Sequence, residues 1–444
     1  MKVKRFPIDP GQSGWLHILP EGARHPEAEG RITADILIIG AGFAGLSAAR
    51  ALALKDPKLR IAIVDARRVA EGPAGRNSGF MIDLPHNLSS NNYAGGLEKD
   101  RLQTQLNRSA IAFAADAAQE FDMSAEAFDP CGKINGAATQ KGDQHNQDYA
   151  AHLNKIGEEC TLLDRVQMRE LTGSDYYQSG LFTKGTAMLQ PAMYIRSLAA
   201  GLEATGVKLF ENSPVIALAR EGSGWLAETP KAKISADTVI LANNGHVESF
   251  GYFKRRLVHI YLFASMTEAL DAEAVAATGG AARWAITPSD SFGTTMRKIS
   301  GTGGTRLVVR NGIQWAPHKK SDLAKVQALA AQHDEALARR HPQLRGMKMA
   351  YRWGGQLCLS MNTVPAFGEM EPKLFSACCQ NGLGTAQGTL AGMGVAELAL
   401  NNGGDIAAFL SAHDQPSKLP PEPLASIGAT IRFWWGERVA GKEL

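Results

Sequence analysis

Cysteine is scarce in this chain. Five occur in 444 residues, the number is odd, and no C-x-x-C is formed. That excludes a disulfide framework and a cysteine-built zinc site, and it suits a reducing compartment. Net charge is also nearly absent: at +3 the chain offers no electrostatic footprint for a nucleic acid. No uninterrupted apolar run crosses the length of a bilayer. The nearest window, "ILIIGAGFAGLSAARALAL", is broken by three glycines and Arg50, so it reads as strand, turn and helix rather than as a membrane span. The start, "MKVKRFPIDPGQSGWLHILP", is basic but has no apolar core, and no signal peptide is expected. Repeats and low-complexity tracts are missing too. What is left, 44% apolar and 20% charged residues, describes a globular cytoplasmic protein long enough for two domains.

Residues 35–65 carry the densest information. "ADILIIG" is a continuous apolar run, as a strand buried on both faces would be. "FAGLSAARALAL" favours a helix, and "RIAIVD" is a second buried strand. Between the first strand and the helix stands Gly40-Ala41-Gly42-Phe43-Ala44-Gly45. In this context Gly40 permits the turn, Gly42 lets the backbone approach a pyrophosphate, and Gly45 lets the helix lie close on the strand. The helix N-terminus attracts the anion. Asp65 follows Gly45 by 20 residues, where a carboxylate accepts hydrogen bonds from a ribose. Ala66 and Arg67 follow it.

NAD and FAD both use this fingerprint, and the distinction comes from elsewhere. A second Gly-rich loop opening a helix occurs at "NGLGTAQGTLAGMG", residues 381–394. A flavin enzyme needs such a helix N-terminus, where negative charge gathers on the reduced ring; a nicotinamide enzyme does not. Other elements read more plainly. A long helix is expected over 97–121, short strands over 207–241, and a helix capped by Ser321 that stops before Pro342. The last 40 residues read as an extended tail or an added helix.

Five segments in order, "ILIIGAGFAGLSAA", "GRNSGFM", "VILANNGH", "YRWGG" with "NTVPAFG", and "NGLGTAQGTLAG", resemble the D-amino-acid oxidase/sarcosine oxidase superfamily of FAD-dependent oxidoreductases. The resemblance spans about 33–404 and is nearest to bacterial amine and opine oxidoreductases. It implies an α/β fold: a Rossmann-like FAD-binding domain with an inserted mixed-sheet substrate domain. The division it implies is an arm at 1–30, a discontinuous FAD-binding domain at 31–85, 187–252 and 355–404, a substrate-binding domain and cap at 86–186 and 253–354, and a tail at 405–444. Arg76, Asn77, Ser78 and Gly79 would pass the isoalloxazine edge. Val215 would meet the adenine, Asn243, Asn244 and Gly245 would end a strand beside the cofactor, and Gly382, Leu383, Gly384 and Thr385 would cap the pyrimidine side.

Three further expectations follow from that resemblance. FAD is non-covalent, because Cys358 is out of register with the cysteine that holds flavin in some relatives. The strand "TRLVVRNG" carries Arg306 and Arg310 where sarcosine oxidases place a lysine, which leaves oxygen or another compound as the electron acceptor. The reaction is oxidation of a C–N bond in a small amine or amino acid. The alternatives are a 2-hydroxy acid or polyol phosphate as substrate, a flavin subunit active only with a partner, and a nicotinamide dehydrogenase. A carboxylate or phosphonate on the substrate favours an arginine fork. Arg297 in "TTMRKI" and Arg352 in "YRWGG" are the candidates, with a surface charge and a structural salt bridge as their respective alternatives. His259 and Tyr261 alternate along a probable strand and are placed facing the flavin; His86 is a further candidate. Cys378, Cys379 and Trp353 read as packing.

Overall fold

The computed structural model describes residues 1–85 and 94–444; His86 lies outside the described residues. Two eight-stranded sheets organise it, with a three-stranded sheet between Phe80–Met81, Ala187–Leu189 and Phe128–Asp129. The first sheet forms around strand Gly30–Ile39, which pairs in parallel with Ala232–Leu241 on one side and Ile61–Val64 on the other. Lys208–Phe210 and Leu374–Cys378 extend it, also in parallel. Leu37, Ile38, Ile63, Val239, Ile240 and Leu241 are fully buried, which is why these strands read as unbroken apolar runs. Helices Phe43–Lys55 and Ala386–Ala399 cover one face of this sheet together.

The second sheet is mixed, in the order Met349–Leu359, Val258–Thr267, Arg306–Trp315, Thr295–Ile299, Trp284–Pro288, Lys133–Ala137, Ser179–Thr183, Thr161–Leu163. Its pairs are antiparallel except for Trp284–Pro288 with Lys133–Ala137. The expected long helix runs Leu97–Glu120. The expected cap at Ser321 is displaced by one residue. Asp322 accepts from Lys325 N at 2.9 Å, while Ser321 donates to Gln314 Oε1 at 2.7 Å. A carboxylate caps as well as a hydroxyl, and the segment is interrupted at Leu329 into Leu323–Ala328 and Ala330–Arg340.

Both chain ends fold back onto the body. In the arm, Gly11 bridges Trp353, and Arg67 donates to Asp9 Oδ2 at 2.8 Å. The tail closes as helix Leu424–Ala440. It is seated on the second sheet by Trp315 Nε1, which donates to Ser426 Oγ at 2.9 Å, and by Glu437 Oε1, which accepts from Ile313 N at 3.0 Å. All five cysteines are free. Among the described residues no helix is long and apolar enough to cross a membrane, and no cluster suits a metal ion.

Candidate active site

One cavity of about 840 Å³ runs between the two sheets. Its first wall is made of loops at the C-terminal ends of the parallel strands. Gly40, Ala41, Gly42, Phe43 and Ala44 line it, as do Asp65, Ala66 and Arg67. Arg76, Asn77, Ser78, Gly79, Val215, Asn243, Asn244, Gly382, Leu383, Gly384 and Thr385 complete that wall. The two remaining glycines do not line it; they hold the wall in place. A Cβ on Gly45 would stand 1.8 Å from Gly40 O, and one on Gly245 would stand 2.7 Å from His259 Cε1. Gly42 is different. A Cβ there would meet only Ala74 Cβ, at 3.6 Å, so the space beside it is cavity, at the N-cap of helix Phe43–Lys55.

Several groups in this wall are poised for a polar ligand. Asp65 accepts from Ala41 N at 2.8 Å and Arg67 N at 2.9 Å, which fixes its carboxyl at the strand end. Burial raises its pKa, against those two hydrogen bonds. The amide nitrogens of Asn243 and, from the facing strand Met349–Leu359, of Gln356, together with both ring nitrogens of His246, are buried in the lining with no hydrogen-bond partner among the described residues. Buried polar atoms are nearly always paired, so these atoms fit a ligand rich in polar groups. Burial, with Lys319 and Arg67 nearby, holds His246 down at about 3, so its ring is neutral. Thr385, at the start of helix Ala386–Ala399, donates to Phe80 O at 2.6 Å. That helix and Phe43–Lys55 thus both direct an N-terminus at the cavity. An elongated dianion such as FAD fits this donor set.

The second wall is the face of the second sheet that carries Val258, Ile260, Leu262 and Ala264, with Arg310, Ile313 and Trp315 from the adjacent strand. This corrects the sequence reading of four residues. His259 and Tyr261 share one face, as period two requires, but it is the opposite face. His259 Nε2 contacts Glu248 Oε2 at 2.6 Å, and Tyr261 donates to Ile8 O at 2.8 Å and Lys319 O at 2.9 Å. Burial alone would raise Glu248, yet His259 and Lys319 outweigh it and hold the carboxyl low. Arg352 lies on the same back face, donating to Ser265 Oγ at 3.0 Å and Asp334 Oδ1 at 2.6 Å. Arg297 is buried outside the lining. It donates to Ser78 O at 2.7 Å and Leu189 O at 2.8 Å, and its guanidinium stands 4.8 Å from the Trp15 ring centre. Arg297 ties the loop Arg76–Gly79 to the second sheet rather than reaching a ligand. Arg76 also turns its guanidinium away, donating to Glu71 O, Pro10 O, Gly11 O and Gly354 O.

Other lining residues were not singled out from the sequence. Phe6 and Pro7 of the arm line the cavity, as do Lys99 and Gln103 of the long helix. The tail helix contributes Arg432 and Phe433. Arg310 drew notice only as the absence of a lysine.

The family model described as "DAO: FAD dependent oxidoreductase" matches residues 35–398. "Probable oxidoreductase OrdL" of Haemophilus influenzae is 26% identical over 391 residues, 85% of each chain. Gamma-glutamylputrescine oxidoreductase of Escherichia coli is 22% identical over 407 residues, 90% of each chain. Among solved structures, glycine oxidase from Geobacillus kaustophilus superposes with a TM-score of 0.70 at 18% identity, covering 86% of this chain and 100% of that one. The fold is therefore shared with that enzyme.

Proposed function

Because this chain belongs to the DAO family of FAD-dependent oxidoreductases, we propose that it oxidises a C–N bond in a small amine or amino acid that carries an anionic group. The observation that carries this reading is Arg310. It stands in the cavity wall opposite the cofactor loops, on a sheet face otherwise lined by Val258, Ile260, Leu262, Ile313 and Trp315. Curated and solved relatives point to the same class. They include gamma-glutamylputrescine oxidoreductase, glycine oxidase and iminodiacetate oxidase from Chelativorans sp. BNC1, with a TM-score of 0.66 at 16% identity.

The roles divide between the walls. Gly40 to Ala44 hold the pyrophosphate, with Gly45 behind them as a packing glycine. Asp65, with Ala66 and Arg67, holds the ribose, and Val215 and His246 meet the adenine. Arg76 to Gly79, Asn243, Asn244 and Gly382 to Thr385 surround the ring system. Residues 31–85, 187–252 and 355–404 form the cofactor half; 86–186 and 253–354 form the substrate half. Bound FAD supplies the two-electron oxidation of the carbon beside nitrogen. The protein's share is to orient the substrate and keep water out. Arg310 takes the carboxylate or phosphonate in its planar fork, and Ile260, Leu262, Trp315 and Phe433 keep the pocket dry.

The cofactor is held without a covalent bond. Cys358 pairs across from His259, on the back face, and is buried against Cys379. Burial pushes its thiol well above the usual range, so it stays protonated and out of reach. Acid precipitation is expected to release all flavin into the supernatant; flavin in the pellet would overturn the non-covalent assignment. The substrate class is tested by product analysis. N-substituted amino acids, opines, aminophosphonates and polyamine derivatives are offered alongside 2-hydroxy acids and polyol phosphates. Turnover releasing ammonia or an amine is the expected result, and turnover of hydroxy compounds alone would reject the C–N reading. Activity that appears only with a co-purified protein would make this chain one subunit of a larger enzyme.

A further inference from the structure

The tail helix Leu424–Ala440 has a second apolar side that none of the described residues covers. Leu424, Ile427, Ile431, Trp434 and Trp435 are each more than half exposed, and Val439 is 47% exposed. At 100° per residue they fall on one face of the helix. The opposite face is fixed against the second sheet by Ser426, Glu437 and Phe433, the last with its ring centre 6.5 Å from that of Phe292. The helix therefore cannot roll to hide the exposed side. An apolar stripe on a helix is ordinarily covered.

We propose that this face pairs with the same helix of a second copy of the chain, antiparallel about a two-fold axis near Ile431. Three observations select that occupant. The first is shape. Gly428 lies two turns before Trp435 on the same side of the helix, and a Cβ on Gly428 would meet nothing within 4 Å. The face thus carries both a knob and a hole. A two-fold contact needs such self-complementarity, since residue i meets j while j meets i. With Ile431 near the axis, each Trp435 covers the Gly428 of its partner, and Leu424 meets Val439.

The second is charge. Glu422 stands at the N-terminal end and Arg438 at the C-terminal end, and both are exposed. Antiparallel pairing brings each acid toward the other copy's base and opposes the two helix dipoles. A lipid surface would call for several cations along the face. This face has Arg438, which lies 5.5 Å from the Trp434 ring centre, and at its edge the exposed Arg432, which also lines the cavity; two cations are fewer than such a surface calls for. The third is area. Six half-exposed large side chains offer ~600 Å², approaching the ~800 Å² per partner of a standard interface.

The pairing has a consequence for the site. Gly428 also lines the cavity, so the partner's Trp435 stands at the mouth and narrows it. The inference holds whatever amine the cavity takes.

Sedimentation equilibrium on the full-length holoprotein is expected to give a dimer. Ile431→Glu is expected to give a monomer with an unchanged circular dichroism spectrum. Trp435→Ala, a milder change, is expected to weaken the dimer at least tenfold should the first variant fail to fold. Ile431→Cys places a thiol at the axis. Mild oxidation is expected to link it into a covalent dimer, reversibly by reductant, while the parent chain under the same treatment stays unlinked. A parent chain that is monomeric at every concentration overturns the proposal. So does a dimer that survives both variants and gives no cross-link. A monomer that sediments with phosphatidylglycerol vesicles would assign the face to lipid instead.

Discussion

The two walls of the cavity are built from different material. The first is mostly backbone: glycines, small residues, strand ends and the N-termini of two helices. The second is mostly side chains: Val258, Ile260, Leu262, Arg310, Trp315 and, from the tail helix, Phe433. A backbone wall grips a fixed ligand with N–H groups that no substitution except proline removes, but it tolerates no added bulk where the ligand approaches. A side-chain wall can be recut one residue at a time without disturbing the fold. The first arrangement suits a cofactor common to a family, the second a substrate that differs between members.

Two valine substitutions should separate backbone contact with ligand from backbone contact with protein, and they carry the largest effect. Gly45→Val forces a side chain into Gly40 O and is expected to abolish folding, read as loss of soluble protein. Gly42→Val fills open cavity instead. Its expected result is a folded protein whose affinity for FAD falls by more than about a thousandfold, ~4 kcal/mol. Stoichiometric FAD in the Gly42 variant would remove the pyrophosphate assignment.

Acid should act on both walls at once. Burial holds His246 at about 3 and His333 and His341 at about 4. Each therefore binds a proton in the unfolded chain before it does in the folded one. Stability is full above about pH 6.5 and falls as pH drops toward 4, with a limiting slope of ~4 kcal/mol per pH unit for three groups. Urea unfolding at pH 7, 6 and 5 measures it. A flat profile would mean that these rings are not held neutral.

Arg297→Ala tests the tie between the walls. The variant leaves Ser78 O and Leu189 O without their buried donor, for an expected cost of ~3 kcal/mol. Flavin retention should fall with it, because the loop Arg76–Gly79 loosens. A raised KM at unchanged stability would put Arg297 back among the substrate contacts. The smallest effect is expected from Arg352→Ala. Its partner Asp334 is 48% exposed, and such pairs contribute ~0–1 kcal/mol; KM should not move.

The same division decides what could be read from the sequence. Residues 35–65 announce a cofactor loop because the constraint is local: a turn, a close approach and a strand end, each demanding a particular residue within a short span. The segment Val258–Thr267 gives no such sign. One face meets the cavity, the other meets the arm and the helix at 330–340, and both are buried. Val, Ile and Leu on one side and His, Tyr and Phe on the other do not betray which is which. A one-residue choice of face therefore moved His259 and Tyr261 to the wrong wall. Arg352 stands out for its place beside Trp353, and its strand turns it to the same back face. The tail helix mixes apolar and polar residues on every side, so no amphipathic pattern disclosed that one side would line the cavity.

The most direct test is an anaerobic titration of the yellow protein and its Arg310→Ala variant with the same anionic amine, followed at the visible flavin band. The expected result is full bleaching of both, with the variant needing ten- to a hundredfold more substrate, ~1.4–2.8 kcal/mol, and retaining its flavin throughout. Equal titration curves would contradict the assignment of Arg310. Bleaching by hydroxy acids alone would contradict the substrate class itself.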